Sequence, residues 1–299
     1  MKKAILAGPC LGEMYWEIGR FATHAIWKKK QNPDRKLIVL TRPDRFDMYG
    51  EHADILVPLR IEGDGVKYKG DCYRLQKFPP ENYTALVNAF NKQFENRYKI
   101  KDHLYPNLKG KNFANKYQFS TDQMVFDDFR PRVDNGLIVS EIIPNDRPLV
   151  VIAPRFRPGL RRNWPHWQEL YDMIADSDLM EKFYFVLCGK LPDHIPDKKG
   201  RFFDINNFRQ TKNTSLIGFT LECLNRAVFT VGSQSGIPNI SLLFKVEVLE
   251  WGHQRTLHTN TYNIFNSKIT FIDDSKYKTE AKTIFKNMNK RLSKRGKKQ

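Results

Sequence analysis

The sequence of 299 residues predicts an α/β protein made of two similar halves with a cleft between them. One observation is that short apolar segments alternate with segments whose apolar residues recur every three or four positions, which predicts βαβ units and parallel sheets. The other is that this alternation stops near residue 62 and resumes near residue 149. We therefore predict an N-terminal domain of residues 1–145 and a C-terminal domain of residues 146–299, with a ligand between them.

The N-terminal half begins with an apolar strand that ends at the turn signal Gly8-Pro9. A segment with helical spacing and two further apolar strands follow. The predicted elements are Ala4–Ala7, Glu13–Lys30, Leu37–Leu40 and Ile55–Val57. Residues 62–135 are polar, aromatic and irregular, apart from a predicted helix at Thr84–Tyr98. Long loops of this kind often carry recognition.

The C-terminal half repeats the alternation after two turn signals, Asn135-Gly136 and Asn145–Pro148. The predicted strands are Leu149–Ala153, Phe183–Leu187, Ala227–Val231 and Val246–Trp251. The predicted helices are Trp164–Ala175, Ser215–Asn225 and a last helix at about Thr279–Leu292. Pro165 stands in the first turn of its helix, where proline is tolerated. The last helix runs into a basic tail.

Composition disfavours several classes of protein. The apolar fraction of 40% and the aromatic fraction of 13% disfavour a disordered chain. No segment approaches about 18 uninterrupted apolar residues, so we expect no transmembrane helix. The apolar stretch after the first two lysines is too short for a signal peptide. The four cysteines are scattered without CxxC spacing, which disfavours zinc and favours a reducing compartment. We expect a cytoplasmic protein, or one in the host cytoplasm if the source is viral, with no bound metal.

The net charge of +17 is clustered along the chain. Seven basic residues and no acidic residue lie between Lys286 and Gln299, and a second cluster comprises Lys28–Lys30, Arg35 and Lys36. Basic tails steer proteins towards polyanions such as nucleic acid, an anionic membrane surface or a phosphorylated glycan. The alternative is a solvated tail that aids solubility. The last helix also carries four apolar residues that would either enter a membrane surface or pack on the core, namely Ile284, Phe285, Met288 and Leu292.

Two loops have the composition of a diphosphate-binding site. The stretch Gly232–Gly236 (Gly-Ser-Gln-Ser-Gly) joins an apolar strand to a predicted helix. Glycine lets the backbone approach a ligand closely, and the helix N-terminus offers N–H groups to an anion. A third basic cluster follows an earlier strand and suits a clamp of charge-assisted hydrogen bonds. Its members are Arg155, Arg157, Arg161 and Arg162. The alternatives are an ordinary strand-to-helix turn and a solvated basic loop.

Familiar nucleotide motifs are missing from the sequence. It contains no GxxxxGK[ST] and no GxGxxG after the first strand, which disfavours a P-loop NTPase and a simple dinucleotide enzyme.

Three motifs in a fixed order give about residues 149–251 a family resemblance. They are the arginine loop ending in Arg162–Pro165 (Arg-Asn-Trp-Pro), the strand Phe185–Lys190, and the segment from Ser215 through Val231 into Gly232–Gly236. This stretch resembles the C-terminal half of the ADP-heptose heptosyltransferase family, which are inverting enzymes of the GT-B fold. The resemblance implies two Rossmann-like domains, transfer of a sugar from a nucleotide-sugar, and no cofactor besides that co-substrate.

The sequence also departs from the family pattern. Glu13 stands where the family has its catalytic aspartate, after Gly12. Gln234 replaces the aspartate of the Gly-Asn-Asp-Ser-Gly loop, and Ile237–Asn239 replace the small residue and histidine that often follow. The resemblance therefore implies a donor that can differ from ADP-heptose.

The resemblance and the two loops together assign candidate roles. Glu13 is the expected general base, which must lie at the cleft to deprotonate a hydroxyl. The alternative is an acidic residue that complements a helix dipole, with Glu17 one turn further on. Glu250 would either bind a ribose hydroxyl or be an ordinary strand-end residue. The expected donor-binding residues are Arg155, Arg157, Arg161, Arg162, Gly189, Ser233, Gln234, Ser235, Gly236 and Glu250.

The acceptor is expected to be a polyanion. Basic and aromatic residues interleave in 62–135, which suits phosphate contacts and base stacking. The expected acceptor-binding residues are Trp16, Lys67, Tyr68, Tyr73 and Arg74. Charge in this half as well as in the tail favours a hydroxymethylated base in DNA, flipped into the cleft, as in a DNA-modifying phage-type member. One alternative is heptosyltransferase-like transfer to lipopolysaccharide or another surface glycan. A second is a non-catalytic nucleic-acid-binding protein on a GT-B scaffold.

Overall fold

The computed structural model describes residues 1–10, 15, 17–59, 80–104, 142–155, 163–189, 202–205 and 216–295. They belong to two compact units, Met1–Asp134 and Asn135–Gln299, whereas the sequence predicts a division between residues 145 and 146. Arg226 Nη2 donates hydrogen bonds to the carbonyl oxygens of Ile143 (3.1 Å) and Pro144 (3.2 Å). These two residues are therefore held by the C-terminal unit.

The N-terminal unit contains a four-stranded parallel sheet in the order β3-β2-β1-β4. Its strands are β1 (Lys2–Ala7), β2 (Lys36–Thr41), β3 (Ile55–Pro58) and β4 (Tyr98–Leu104). The apolar runs of β1 and β2 are buried on both faces, as expected for the central strands of a covered parallel sheet. β4 lies in the segment that the sequence predicts to be irregular. The strand is not predicted because it lies at an edge, contains half-buried and exposed residues, and carries lysines.

Helical segments connect these strands. They are a π-helical turn (Glu17–Ala22), α1 (Thr23–Gln31), 3-10 turns (Pro43–Met48 and Gly50–His52) and α2 (Pro80–Glu95). Phe90 and Phe94 of α2 join a buried cluster with Leu6 and Ile38 of the sheet. The helix predicted at Thr84–Tyr98 is therefore present, but it begins earlier and ends at Glu95.

The C-terminal unit contains a six-stranded parallel sheet in the order β10-β9-β8-β5-β6-β7. Its strands are β5 (Leu149–Ala153), β6 (Tyr184–Leu187), β7 (Phe202–Asp204), β8 (Ala227–Ser233), β9 (Glu247–Gly252) and β10 (Ile269–Asp273). The sequence does not predict β7 and β10. Both lie at edges of the sheet, where β7 is short and β10 is largely half-buried or exposed, so neither forms a long apolar run.

The last helix of the C-terminal unit packs on its own core. The helical segments here are α3 (Trp167–Ala175), α4 (Leu179–Lys182), α5 (Leu216–Arg226), α6 (Gly236–Leu243), a π-helical turn (Leu257–Thr261) and α7 (Ala281–Leu292). Ile284, Met288 and Leu292 are fully buried in one cluster with Trp167 and Trp251. Their apolar side chains therefore serve the core. No helix in the described part of the chain has the length and apolar character needed to cross a membrane.

Each sheet has a point at which the chain reverses its direction across the sheet. In the C-terminal unit the chain runs from β5 outwards through β6 and β7, and then returns to β8 on the other side of β5. β1 and β4 are the corresponding pair in the N-terminal unit. Ligands of open α/β sheets bind beyond the carboxyl ends of the strands at such switch points. We therefore expect ligand sites at the loops that follow β1, β5 and β8.

Candidate functional site

The loops after β5 and β8 are joined across the switch point of the C-terminal unit. Arg155 follows β5, and its Nη1 donates a hydrogen bond of 2.8 Å to the main-chain oxygen of Gln234. Gln234 is the first residue after β8, and its N–H donates to the main-chain oxygen of Trp251 at 2.9 Å. Because one arginine links the two loops, a positive charge lies close to the start of α6.

Gly189, after β6, shapes the backbone at the same edge of the sheet. A Cβ atom at this position would lie 2.1 Å from the carbonyl oxygen of Pro154. Only glycine therefore lets the loops after β5 and β6 approach each other this closely.

The N-terminus of α6 has the geometry of an anion-binding site. Ser235 is the N-cap residue, its backbone is extended (φ −158°, ψ 180°), and its side chain makes no capping hydrogen bond. Ser235, Gly236 and Ile237 are half-buried rather than enclosed. The first N–H groups of a helix have no acceptor within the helix, and Pro238 has no N–H. Gly236 and Ile237 therefore supply the main-chain donors, where the helix dipole also favours negative charge.

The side chain of Gln234 is buried and hydrogen-bonded on both sides of its amide. Oε1 accepts from the main-chain N–H of His253 (3.1 Å) and from the Tyr277 hydroxyl (2.7 Å). Nε2 lies 2.7 Å from His258 Nε2 and 3.4 Å from Gln254 Oε1. Since a main-chain N–H can only donate, the amide oxygen faces His253 and the amide nitrogen donates to His258. The predicted contact of Gln234 with a donor stays a prediction.

His258 and Glu250 complete this network. His258 Nδ1 lies 3.0 and 3.1 Å from the two carboxylate oxygens of Glu250, and the two residues are 2% and 0% exposed. Because His258 Nε2 accepts from Gln234, the ring proton is on Nδ1 and is donated to Glu250. Burial raises the pKa of Glu250, and hydrogen bonds from His258 and from the main-chain N–H of Ser235 oppose that rise. The carboxylate thus faces inward, and its predicted contact with a ribose stays a prediction.

Among the buried polar atoms near this loop that have no hydrogen-bond partner in the described part of the chain, two flank the start of α6. They are Ser233 Oγ at the end of β8 and Asn239 Oδ1 in the first turn of α6. Most buried polar atoms are satisfied by protein, ordered water or a ligand. A polar ligand or a water molecule at the start of α6 would complete their hydrogen bonding.

Gly8 lies at the switch point of the N-terminal unit, directly after β1. Its N–H donates to the oxygen of Leu104 (2.8 Å), and its own carbonyl accepts from His103 Nε2 (3.0 Å). Its φ is +110°, and a Cβ atom would lie 2.2 Å from the oxygen of Leu40, so a side chain does not fit. The chain then continues to Glu13, which lies outside the described residues.

Glu17 is the buried carboxylate at this edge of the N-terminal unit. The hydroxyls of Thr41 and Tyr49 donate to its Oε1 at 2.5 and 2.9 Å. Burial raises the pKa of Glu17, while the charge of Arg45 and the two hydroxyl hydrogen bonds lower it. The residue is 0% exposed, so its carboxylate ties the π-helical turn to β2 and the turn that follows.

The structure brings the described donor-site candidates together near one edge of the C-terminal sheet. They are Arg155, Gly189, Ser233, Gln234, Ser235, Gly236 and Glu250. The candidates outside the described residues are Glu13, Trp16, Lys67, Tyr68, Tyr73, Arg74, Arg157, Arg161 and Arg162. Sequence reasoning missed His258 and Tyr277, which follow Gln234 by 24 and 43 positions. The available signal was weak, a histidine and a tyrosine outside any recognised motif.

The described residues do not contain a cluster of three His, Cys, Asp or Glu side chains that could hold a metal ion. Their cysteines, Cys10, Cys188 and Cys223, are buried and form no disulfide bond with one another. Residues 11–14, around Glu13, and residues 156–162, in the arginine loop, are not among the described residues.

Comparison with solved structures identifies the architecture. A glycosyl transferase of family 9 from Veillonella parvula matches with a TM-score of 0.54 and 12% identity, over 98% of this chain and 89% of its own. The ADP-heptose LPS heptosyltransferase II of E. coli matches with a TM-score of 0.54 and 14% identity, over 99% of both chains. The chain has the GT-B fold. An E. coli heptosyltransferase with ADP-2-deoxy-2-fluoro heptose matches with a TM-score of 0.52 and 11% identity, over 97% of this chain and 100% of its own.

The GT-B fold confirms the predicted fold class, since each unit has a parallel sheet with connecting helices. By sequence, no model of a protein family and no curated protein matches the chain. At identities of 11–14% the solved structures show the fold alone. The function therefore has to be inferred from the site.

Proposed function

We propose that this protein is an inverting, nucleotide-sugar-dependent glycosyltransferase whose C-terminal unit binds the donor diphosphate at the N-terminus of α6. The observation that carries the proposal is the position of Arg155, Ser235 and Gly236 at the switch point of the sheet. Guanidinium, hydroxyl and main-chain N–H groups there complement the oxygens of a diphosphate. The fold supports the proposal, because the structures that share it include glycosyltransferases, one of them with an ADP-sugar analogue.

In the proposed reaction Glu13 is the general base and takes the proton of the acceptor hydroxyl. The hydroxyl oxygen forms a bond to the anomeric carbon while the bond from that carbon to the diphosphate oxygen breaks. The electron pair leaves with the nucleoside diphosphate, and Arg155 and the N-terminus of α6 stabilise its charge. Arg157, Arg161 and Arg162 are further candidates for this role. We propose that these groups make a metal or other cofactor unnecessary.

We further propose that the acceptor is polyanionic, and a row of lysines on α7 and the turn after it supports this. Lys282, Lys286, Lys290 and Lys294 recur every four residues, are exposed, and have no ion-pair partner among the described residues. The basic cluster of the N-terminal unit differs, because Lys29 and Lys36 pair with Asp54 at 3.0 and 2.6 Å. An unpaired row of cations attracts phosphate-bearing polymers.

The favoured acceptor is a hydroxymethylated base in DNA, because basic and aromatic residues interleave in 62–135. The alternative is a lipopolysaccharide or other glycan, which the name of the E. coli heptosyltransferase II supports. The protein would be incubated with UDP-glucose or ADP-heptose and either hydroxymethylcytosine DNA or a lipopolysaccharide core, and released nucleoside diphosphate would be measured. Release with DNA alone supports the favoured acceptor. Release with the core alone overturns it in favour of the alternative.

The Glu13→Gln variant separates an enzyme from a non-catalytic binding protein. We expect it to bind nucleoside diphosphate and acceptor like the wild type but to lose transfer, since an amide cannot take the proton. Transfer at the wild-type rate would remove Glu13 from the mechanism. A wild type that binds DNA but transfers no sugar from any donor would favour the binding protein.

The donor site itself is tested by Arg155→Ala, with Lys182→Ala as the matched control. Each variant removes one positive charge, and Lys182 ends α4 just before β6, at the opposite edge of the sheet. We expect Arg155→Ala to weaken the binding of ADP or UDP about tenfold, through the lost charge and the freed loop. Calorimetric titration should show wild-type affinity for Lys182→Ala. Equal affinities in both variants would contradict the proposed site.

A further inference from the structure

We infer that His258 is a positioning residue for the diphosphate site, because it holds the side chains that fix the two residues immediately before α6. The inference rests on the proposed function. His258 is not assigned a contact with the donor. It acts through Gln234 and Glu250.

Two consecutive residues of the loop are each restrained by a buried side chain. Gln234 is restrained by its own amide, which bonds to His253, Tyr277 and His258. Ser235 is restrained through its main-chain N–H, which donates to the carboxylate of Glu250. The imidazole of His258 is common to both restraints, since Nε2 contacts Gln234 at 2.7 Å and Nδ1 contacts Glu250 at 3.0 Å.

The imidazole is itself held in place. Its centroid lies 5.1 Å from the ring of Tyr262, edge-on, and 5.7 Å from the ring of Phe271 on β10. His258 belongs to the π-helical turn Leu257–Thr261, a conformation that is rare and frequent at functional sites. A ring packed in this way offers its two nitrogens in fixed directions, as the outer partners of catalytic groups do.

The network requires one tautomer of His258. The main-chain N–H of His253 fixes the amide oxygen of Gln234, so the amide nitrogen must donate to His258 Nε2. Nε2 therefore carries no proton, and the neutral ring is protonated at Nδ1, facing Glu250. Which ring nitrogen is protonated depends on the partner of the other nitrogen. The tautomer is a signature that simple packing of a histidine would not demand.

His258 keeps the loop ordered before the donor binds. Without His258, the amide of Gln234 loses the closer of its two acceptors and Glu250 loses a donor. The main-chain oxygen that accepts from Arg155 and the start of α6 are then less firmly placed. A ligand then has to order the loop itself, which lowers its affinity. The expected effect is on donor binding and not on the chemical step.

Two substitutions test the inference because each retains one of the two contacts. His258→Gln can still accept from Gln234, and His258→Asn can still donate to Glu250. We expect both variants to weaken binding of ADP, UDP and pyrophosphate about tenfold and to raise the donor KM, with kcat within about twofold of the wild type. His166→Gln is the control, since His166 forms a surface pair with Glu169 (3.3 Å) in the same unit. Its affinity should equal that of the wild type.

The tautomer is tested without a substitution. Protein labelled with 15N at histidine should show one ring in the Nδ1–H form by NMR, and this signal should be absent from His258→Gln. A His258 ring in the Nε2–H form overturns the inference, as does wild-type affinity in folded His258 variants.

If neither His258 variant folds, Tyr277→Phe provides the readout, since it removes one hydrogen bond to Gln234 and leaves His258 in place. Unchanged nucleotide affinity in that variant overturns the inference. A wild type that binds no nucleoside diphosphate or pyrophosphate overturns the proposed function together with it. Wild-type binding that is insensitive to His258 overturns the inference alone.

Discussion

The two units each bury a glutamate near the carboxyl edge of a parallel sheet, and the partners of the two residues differ. Burial raises the pKa of both Glu17 and Glu250. Glu17 accepts hydrogen bonds from two hydroxyls, which belong to β2 and a neighbouring turn. Glu250 accepts from an imidazole and from the main-chain N–H of Ser235. The buried carboxylate of Glu17 therefore joins two structural elements of the N-terminal unit. The buried carboxylate of Glu250 restrains a candidate ligand loop in the C-terminal unit.

This difference teaches that a buried carboxylate is best understood from the residues that donate to it. Ser235 is the N-cap residue of α6, so a change at Glu250 reaches the proposed diphosphate site directly. Thr41 and Tyr49 belong to the N-terminal unit, so a change at Glu17 should alter stability without altering nucleotide binding.

The largest expected effect is that of Glu250→Leu. The substitution leaves the donors of His258 and Ser235 without an acceptor, and each buried donor left unpaired costs about 1–3 kcal/mol. We expect the free energy of unfolding to fall by about 2–4 kcal/mol and ADP or UDP affinity to fall about tenfold or more. Urea unfolding and calorimetric titration check these two outcomes. A folded variant with wild-type affinity would break the comparison.

Glu17→Leu is the matched change in the N-terminal unit. It removes the acceptor shared by the hydroxyls of Thr41 and Tyr49, and it removes the negative charge that interacts with Arg45. We expect the free energy of unfolding to fall by about 2–3 kcal/mol, while nucleotide affinity stays within about twofold of the wild type. The same two measurements apply. A clear loss of nucleotide affinity would show that the two carboxylates are not functionally distinct.

His24→Gln sharpens the comparison because His24 is a base in the N-terminal unit. Its pKa is lowered, whereas that of Glu17 is raised. Burial, aided by the charge of Lys28, lowers the pKa of His24 from 6.5 to about 4. The stability it contributes is therefore present above pH 6.5 and is lost as the pH falls towards 4. We expect the variant to lose about 1–2 kcal/mol less than the wild type over this range, after allowance for solvent screening. Urea unfolding at pH 7, 5 and 4 measures this, and identical losses would contradict it.

Glu17→Gln has the smallest expected effect. Because the folded-state pKa of Glu17 is raised, its favourable contribution is complete below its ordinary value of 4.5 and is lost as the pH rises through the folded-state pKa. Glutamine keeps an oxygen for both hydroxyls and removes the buried charge. Relative to the wild type, the variant should therefore become more stable as the pH rises from 4.5 towards 7. A stability difference that does not change with pH would contradict the raised pKa.

The central strands and the edge strand β3 could be predicted from the sequence, whereas the edge strands β4, β7 and β10 could not. Leu149–Ala153 is buried along its whole length and Ala4–Ala7 forms the buried part of β1, so both are uninterrupted apolar runs. β4 and β10 contain half-buried and exposed residues, and β7 has three residues. Their place in the sheet is decided by pairing with a neighbouring strand rather than by their own composition.

The position of the proposed donor loop was predictable for the same reason, and the hydrogen-bond network that supports the loop was not. Arg155 and Ser235 stand directly beyond strongly apolar strands, so the topology of a parallel sheet places them at one edge. The contact between Gln234 and His258 depends on the register of β8 against β9, in which Gly232 faces Glu250. It also depends on a turn 24 positions further along the chain. Local sequence patterns contain no information on such a contact.

Gly252 limits how this part of the protein can diverge during evolution. Its φ is +155°, and a Cβ atom there would lie 2.7 Å from Oε1 of Gln234 and 3.0 Å from the Tyr277 hydroxyl. A side chain at this position would also lie 2.7 Å from Cβ of Gln234, so it would displace residue 234 and break its contact with His258. In an alignment of related sequences, Gly252, Gln234 and His258 should therefore be retained together or replaced together.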